Sequence, residues 1–362
     1  MSQAPHPEPS LFTAPVWLDA QRETDFNAWL HPLALSQGLQ LDTLRIASAD
    51  ASFRRYLRID SKHGSRIIMD APPDKEDCRP FAQVAQLMQA AGLNAPQVLA
   101  WNEANGFMLL TDLGAQTMMQ VINRDDPVAN QGMYLQAVDA LIAWQLASQP
   151  DVLPPYDEAL LRRELALFPD WYLAKHRGVT LNTDDQRTLD DAFKLIIAQN
   201  LSAPSVYVHR DFMPRNLMMS GTPAEPRLGV LDFQDAVYGP ITYDIASLMR
   251  DAFLSWDEDF CLDITIRYWD KARKAGLPVG DDFGEFYKGV EWMGLQRHLK
   301  VAGIFARLTL RDGKPQYLAD TPRFINYIRS TCGRYRELKP LLRLIERFEG
   351  IEVAQGYAFG RV

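Results

Sequence analysis

The sequence is poor in cysteine, in net positive charge and in long apolar runs, and each shortage removes a class of protein. Three cysteines in 362 residues, Cys78, Cys261 and Cys332, are too few and too scattered for a disulfide framework or a zinc cage. They read as isolated buried thiols in a reducing compartment. A formal charge of −8 argues against a general nucleic-acid or anionic-membrane binder, so basic residues must be understood locally. The opening MSQAPHPEPSLFTAPVW lacks the basic start and apolar centre of a signal peptide, and no later stretch reaches the roughly 18 continuous apolar residues of a membrane span. The expectation is a cytoplasmic monomer without a nucleic-acid or membrane partner.

What is present is enough apolar residue, 47% of the chain, to bury one large core or two unequal ones. The texture changes near residue 113. Before it lie strand signals, FRRYLRID and RIIMDAP around the turn SKHGS, then QVLAW and FMLLT around NEANG, whose Asn105-Gly106 suits a tight hairpin. Between them PFAQVAQLMQAAG has helical spacing at Phe81, Val84, Ala85 and Met88. After TDLG the periods are helical, except for SVYVHRD and RLGVLDF, short apolar runs that read as a small sheet inside the helical half. The organisation expected is a loose segment over residues 1–24, a sheet-rich lobe over 25–112 and a helical lobe over 113–362. As a class this is α+β and bilobal, with a hinge at LLTDLG.

The chemistry is concentrated in VYVHRDFMPRNLMM, residues 206–219. His209-x-Asp211-x-x-x-x-Asn216 has the spacing of the protein-kinase catalytic loop, in which the aspartate takes up the acceptor hydroxyl's proton and the asparagine holds magnesium. Asp232 follows sixteen residues after Asn216, at the end of the apolar run LGVLDF, where that pattern has its second metal carboxylate. ATP and Mg²⁺ are the cofactors this implies. Phosphoryl transfer asks the protein for positioning and charge screening more than for covalent chemistry, and Asp211, Asn216 and Asp232 supply both. His209 reads as scaffold of the loop.

At these residues the chain resembles the aminoglycoside phosphotransferase and choline kinase superfamily. YGPITYDIASLMRD after LDFQDA strengthens the likeness, because there an aspartate at the start of the following helix braces the catalytic loop, and Asp244 matches it. Within the superfamily, DASFRRYLRI, IIMDAPPDKEDCRPF, FMLLTDLG, HRDFMPRNLM and LQRHLKVAGIFARL are similar to the bacterial anomeric sugar kinases, which phosphorylate the C1 hydroxyl of N-acetylmuramate and N-acetylglucosamine in cell-wall recycling. The resemblance covers roughly residues 25 to 350. It implies a protein-kinase-like fold with a small antiparallel β lobe and one helix, a larger helical lobe, and a small-molecule amino sugar as substrate.

Protein kinases also carry a Gly-rich loop and a β3 lysine. This chain has SADASFRRYL, without glycine, and Ile67-Ile68-Met69-Asp70 where the lysine would fall. Phosphates still need positive charge, so Arg54 or Arg55 is expected to supply it beside Ser52 in the phosphate loop's place, with Lys75 and Arg79 as alternatives. Adenine is expected on the backbone of Thr111, Asp112 and Leu113, although Asp112 reads equally well as a helix cap.

For the acceptor, Arg215, Gln234, Asp235 and Asp170 are the candidates, with an arginine wanted for the lactyl carboxylate of muramate. Trp292, Gln296, Lys300, Gly303 and Arg307 fall along one polar stripe of a late helix, the pattern of a solvated face more often than of a binding wall. Asp211 is read as a lone carboxylate base without a lysine nearby. Two rival readings remain: a kinase for a cationic acceptor, for which DEDFCLD and GDDFGEF offer acids, and a nucleotide-binding pseudokinase, suggested by the missing lysine and glycines.

Overall fold

A computed structural model describes residues 15–49, 53–221 and 226–351. Its strands are β1 (Leu39–Ala49), β2 (Arg55–Ser61), β3 (Gly64–Asp70), β4 (Val98–Asn102), β5 (Phe107–Thr111), β6 (Ser205–Val208), β7 (Leu217–Gly221), β8 (Pro226–Val230) and β9 (Val237–Pro240). Its helices are α1 (Ala20–Gln37), α2 (Arg79–Ala90), α3 (Met118–Val121), α4 (Gln131–Leu146), α5 (Glu158–Leu165), α6 (Thr183–Leu201), α7 (Thr242–Met249), α8 (Glu258–Lys274), α9 (Phe283–Leu310), α10 (Thr321–Arg334) and α11 (Lys339–Glu349). The chain divides into two compact units, and the hairpin segment Leu217–Asp235 groups with the residues up to Thr117.

In the first unit β1 to β5 form an antiparallel sheet in the order β1-β2-β3-β5-β4. The two expected hairpins are β2–β3 and β4–β5. In the β4–β5 turn Gly106 has φ +67°, and a Cβ there would stand 1.9 Å from the Ala71 carbonyl oxygen, so the site requires glycine. Helix α2 holds Pro80 in its first turn and buries Phe81, Val84, Ala85 and Met88, the periodic set read from the sequence. A second helix, α1, begins at Ala20 and so occupies part of the stretch expected to be loose. It buries only Phe26 and Leu30, which join Leu57, Ile59, Ile68, Phe107 and Leu109 in one core. Trp29, Leu33 and Ala34 pack partly buried against the same core, so Phe26, Trp29, Leu30 and Leu33 form one helical face despite Pro32, and the cap Asp19, accepting from the amides of Gln21 and Arg22, fixes where the helix starts.

The small sheet expected around the catalytic loop is instead two separate ladders. β7 pairs with β8, Leu217 opposite Val230, in the first unit, and β6 pairs with β9, Val208 opposite Val237, in the second. The second unit is otherwise helical. Its long helix α9 starts at the cap Asp282 and buries Trp292, Gln296, Lys300 and Gly303 among others. At Gly303 a Cβ would fall 2.3 Å from the Leu167 carbonyl oxygen, so the chain entering the π-helical segment Phe168–His176 crosses α9 there. No helix among the described residues is long and apolar enough to cross a membrane, and all three cysteines are free and buried.

Candidate active site

In the second unit, β6 delivers the chain to His209 and Asp211. Asp244, fully buried on α7, accepts from the His209 amide at 2.7 Å and from the Arg210 amide at 3.0 Å. Burial pushes the Asp244 carboxyl up, against the opposing pull of the His209 side chain and of these two amides. The Asp211 amide donates in turn to His209 Nδ1 at 3.2 Å, and the His209 ring, also buried, meets Phe212 edge-on at 5.7 Å. Arg210 is left at φ +76°, a left-handed conformation that costs a non-glycine residue about 1–2 kcal/mol. Asn216 closes the loop: its side-chain NH₂ donates to the Asp211 carbonyl oxygen at 2.9 Å.

In the first unit, β8 leads to Asp232, a second residue in left-handed backbone at φ +64°. Gln234 Nε2 donates to Asp232 Oδ1 at 2.9 Å. The two candidate phosphate arginines separate here. Arg54 pairs with Glu76 at 3.5 Å. Burial alone would lower its guanidinium, yet the charges of Tyr56, Glu76 and Asp232 outweigh it and raise it. Arg55 is committed elsewhere, with Nε on Asp70 at 2.5 Å, Nη1 on the Val16 carbonyl oxygen and its plane 3.8 Å over Trp17. Asp70, buried where a kinase lysine would fall, is thus a structural anion, held also by Arg22. Lys75 and Arg79 form local pairs with Asp74 and Asp77. Ser52 lies outside the described residues.

The Asp112 side chain is occupied. Asp112 accepts from Arg58 at 2.7 and 3.1 Å, from Ser65 Oγ at 2.7 Å and from the Gly114 amide at 2.9 Å. It staples the turn that follows β5, and it starts no regular helix; the β3–β5 ladder ends at Thr111, while a Cβ at Gly229 would meet Leu113 Cδ1 at 2.9 Å.

Of the acceptor candidates, Arg215 is exposed and lies 4.6 Å over the Phe253 ring. Asp235 is exposed, and Gln234 keeps Oε1 buried without a hydrogen-bond partner. Asp170 is exposed and lines a groove of about 550 Å³ with Arg162, Gln186, Asp190 and Phe193; no catalytic-loop residue lines it. The polar stripe on α9 requires a correction. Trp292, Gln296 and Lys300 are 2%, 0% and 8% exposed and face protein, because α9 runs through the centre of its unit. Lys300 also corrects the reading of Asp211 as a base without a lysine nearby: burial would lower its ammonium, but Glu164, Tyr243 and Asp211 raise it. Glu164, Arg210, Arg297 and Lys300 gather at the loop through ion pairs and a bond to the Arg210 carbonyl oxygen; a buried cluster spread over α5, the loop and α9 has no spacing signature in the sequence.

The comparisons with known proteins bear on this arrangement. A model of the phosphotransferase enzyme family matches residues 43–280. The chain belongs to that family. It is an enzyme of phosphoryl transfer, an ATP-dependent kinase. Among its relatives is an N-acetylmuramate/N-acetylglucosamine kinase of Pseudomonas aeruginosa, 50% identical over 83% of this chain and 86% of the relative. Another so named, from Neisseria meningitidis serogroup B, is 45% identical over 94% of this chain and 100% of the relative. The fold is shared with a choline/ethanolamine kinase family protein from Mesorhizobium loti, at a TM-score of 0.60 and 14% identity over 90% of this chain and 99% of that one. It is shared too with aminoglycoside 2′-phosphotransferase-IIIa in its GDP complex, at a TM-score of 0.59 and 14% identity over 87% and 99%.

Proposed function

We propose that this family member phosphorylates the anomeric C1 hydroxyl of N-acetylmuramate and N-acetylglucosamine, using ATP and Mg²⁺, in the cytoplasmic recycling of peptidoglycan sugars. The observation that carries the reading is 45–50% identity, across most of the chain, to kinases named for those two sugars.

In this reading Asp211 accepts the proton of the C1 hydroxyl while the phosphoryl group transfers. A hemiacetal hydroxyl is more acidic than the other sugar hydroxyls, so a carboxylate suffices as its base. The bonds around His209, Arg210 and Asp244 aim that carboxylate. Asn216 and Asp232 are the magnesium ligands: a carboxylate and an amide oxygen are hard donors suited to that ion, and Asn216, with its NH₂ turned to Asp211, presents its oxygen on the opposite edge. When bound, magnesium screens the nucleotide's phosphates and offsets charge developing in transfer. Arg54, braced by Glu76 and influenced by Asp232, supplies the cation that the missing lysine does not. The backbone of Thr111, Asp112 and Leu113 reads adenine. Arg215, Gln234 and Asp235 contact the sugar.

The rivals lose their motives. The acids of DEDFCLD and GDDFGEF include Asp257 and Asp282, which cap α8 and α9 by accepting from the Phe260 and Glu285 amides; helix starts account for them without a cationic acceptor. Arg54 answers the absent lysine that suggested a pseudokinase.

The test is product analysis. With ATP and either N-acetyl sugar, phosphorus NMR is expected to show a 1-phosphate, a 6-deoxy analogue is expected to be turned over, and the methyl glycoside, blocked at C1, is expected to be inert. Phosphate on O6, or turnover of the methyl glycoside, refutes the C1 assignment.

A further inference from the structure

We propose that Glu164 and Lys300 are positioning residues for Asp211, forming with Arg210 a buried charge cluster that holds the catalytic loop in its left-handed turn. The proposal rests on the reading of Asp211 as the base. Arg210 is the residue immediately before it, and both ends of its peptide are held. Its amide donates to Asp244, while its carbonyl oxygen, which belongs to the Asp211 peptide, accepts from Arg297 Nη1 at 2.6 Å and Ser247 Oγ at 3.4 Å. That peptide plane sets where the Asp211 side chain starts.

The Arg210 side chain adds a third anchor. Its Nη2 donates to Glu164 Oε1 at 2.5 Å. Glu164 is 4% exposed, and a lone carboxylate so buried would be strongly unfavourable. It is answered on both oxygens: Lys300 Nζ reaches Oε1 at 2.8 Å, and Gln296 Nε2 reaches Oε2 at 2.9 Å together with the Tyr156 hydroxyl. Burial alone would raise its pKa, but these cations and donors hold it at about 2, so it remains an anion. Lys300 also approaches the Tyr243 hydroxyl at 3.3 Å, and the Arg297 guanidinium lies 4.9 Å from the Tyr243 ring. One packed layer therefore joins α5 and α9 to the peptide that carries Asp211. A cluster serving only the fold would tolerate any balanced replacement without effect on turnover; one that aims a base would not, because a displacement of about 1 Å costs on the order of 10²-fold in rate.

The experiment reads kcat, both KM values and thermal melting for Glu164→Gln, Lys300→Met and Glu164→Gln/Arg210→Gly, and repeats Glu164→Gln in an Asp211→Asn background. Expected is a fall in kcat of about 10-fold or more for Glu164→Gln, with both KM values within about twofold, since aim is lost and binding is not. Arg210→Gly is expected to recover part of it, because glycine adopts positive φ freely and removes one unpaired cation. In the Asp211→Asn background Glu164→Gln is expected to cost little more. The proposal is overturned if Glu164→Gln keeps kcat within about twofold, or loses the same factor with and without the Asp211 carboxylate. If Glu164→Gln does not fold, Lys300→Met, which keeps the Glu164–Arg210 pair, decides by the same kcat and KM criteria. Near-full kcat in Asp211→Asn alone would defeat the parent reading instead, so the two failures are distinct.

Discussion

Asn216 donates from its side chain to the backbone carbonyl oxygen of Asp211 at 2.9 Å, so these two positions of the loop are tied through the main chain and not through the Asp211 carboxylate. Replacing that carboxylate therefore leaves the tie intact. Asp211→Asn is expected to lower kcat by about 10²- to 10⁴-fold, the usual range for losing a general base, while nucleotide affinity stays within a few-fold. Calorimetric titration of nucleotide beside single-turnover kinetics checks both halves; near-full kcat sinks the assignment.

The two proposed metal ligands should separate by charge. Asp232→Ala removes a carboxylate and is expected to weaken nucleotide binding at millimolar magnesium more than Asn216→Ala, which removes an amide and loosens the loop. Titrating nucleotide at several magnesium concentrations tells them apart. Equal and weak effects would favour a protein that binds nucleotide without turning it over.

Arg54 and Arg55 are adjacent in sequence and are expected to fail in opposite ways. Arg54→Ala should raise the KM for ATP by about 10-fold or more, a contact to a charged group being worth roughly 1.5–3 kcal/mol, with little change in melting. Arg55→Ala strips one of two cations from the buried Asp70 and should cost about 1–3 kcal/mol of stability with KM nearly unchanged. Chemical denaturation and initial rates on both variants decide; the reverse pattern overturns the division of roles.

His298 gives a pH signature. Its Nε2 faces the Arg250 carbonyl oxygen at 3.2 Å, its ring stacks on Tyr327 at 4.5 Å, and burial, aided by the charges of Arg250 and Arg297, pushes it from 6.5 to about 3. Between those values the unfolded chain binds a proton that the folded chain refuses, so this contribution to stability is lost as pH falls below 6.5, at about 1.4 kcal/mol per unit. Asp251, pushed by burial from 3.8 to about 6, works in the opposite direction, keeping its proton when folded and losing stability as pH rises through that window. A comparison of wild type with His298→Gln isolates the first. Urea denaturation at pH 6.5 and 5.0 should show wild type's advantage shrinking by about 2 kcal/mol; a difference independent of pH would contradict the assignment.

Features with a local cause are legible in the chain of residues. The hairpins β2–β3 and β4–β5 follow from short apolar runs closed by glycine turns, α2 from its spaced Phe81, Val84 and Met88, and the spacing of His209, Asp211, Asn216 and Asp232 is written in the chain itself. Tertiary structure decided the rest, because charge pairing and burial depend on which distant segments meet. It separated Arg54 from Arg55, since only packing brings Asp70 and Trp17 to the second arginine. It split one expected sheet into two ladders, since β6 finds its partner at Val237–Pro240 beyond the hairpin. It also turned a polar stripe into the interior of α9: Lys300 is stable in that core only because Glu164, 136 positions earlier in the sequence, is buried against it at 2.8 Å, a compensation that no periodicity in either helix encodes.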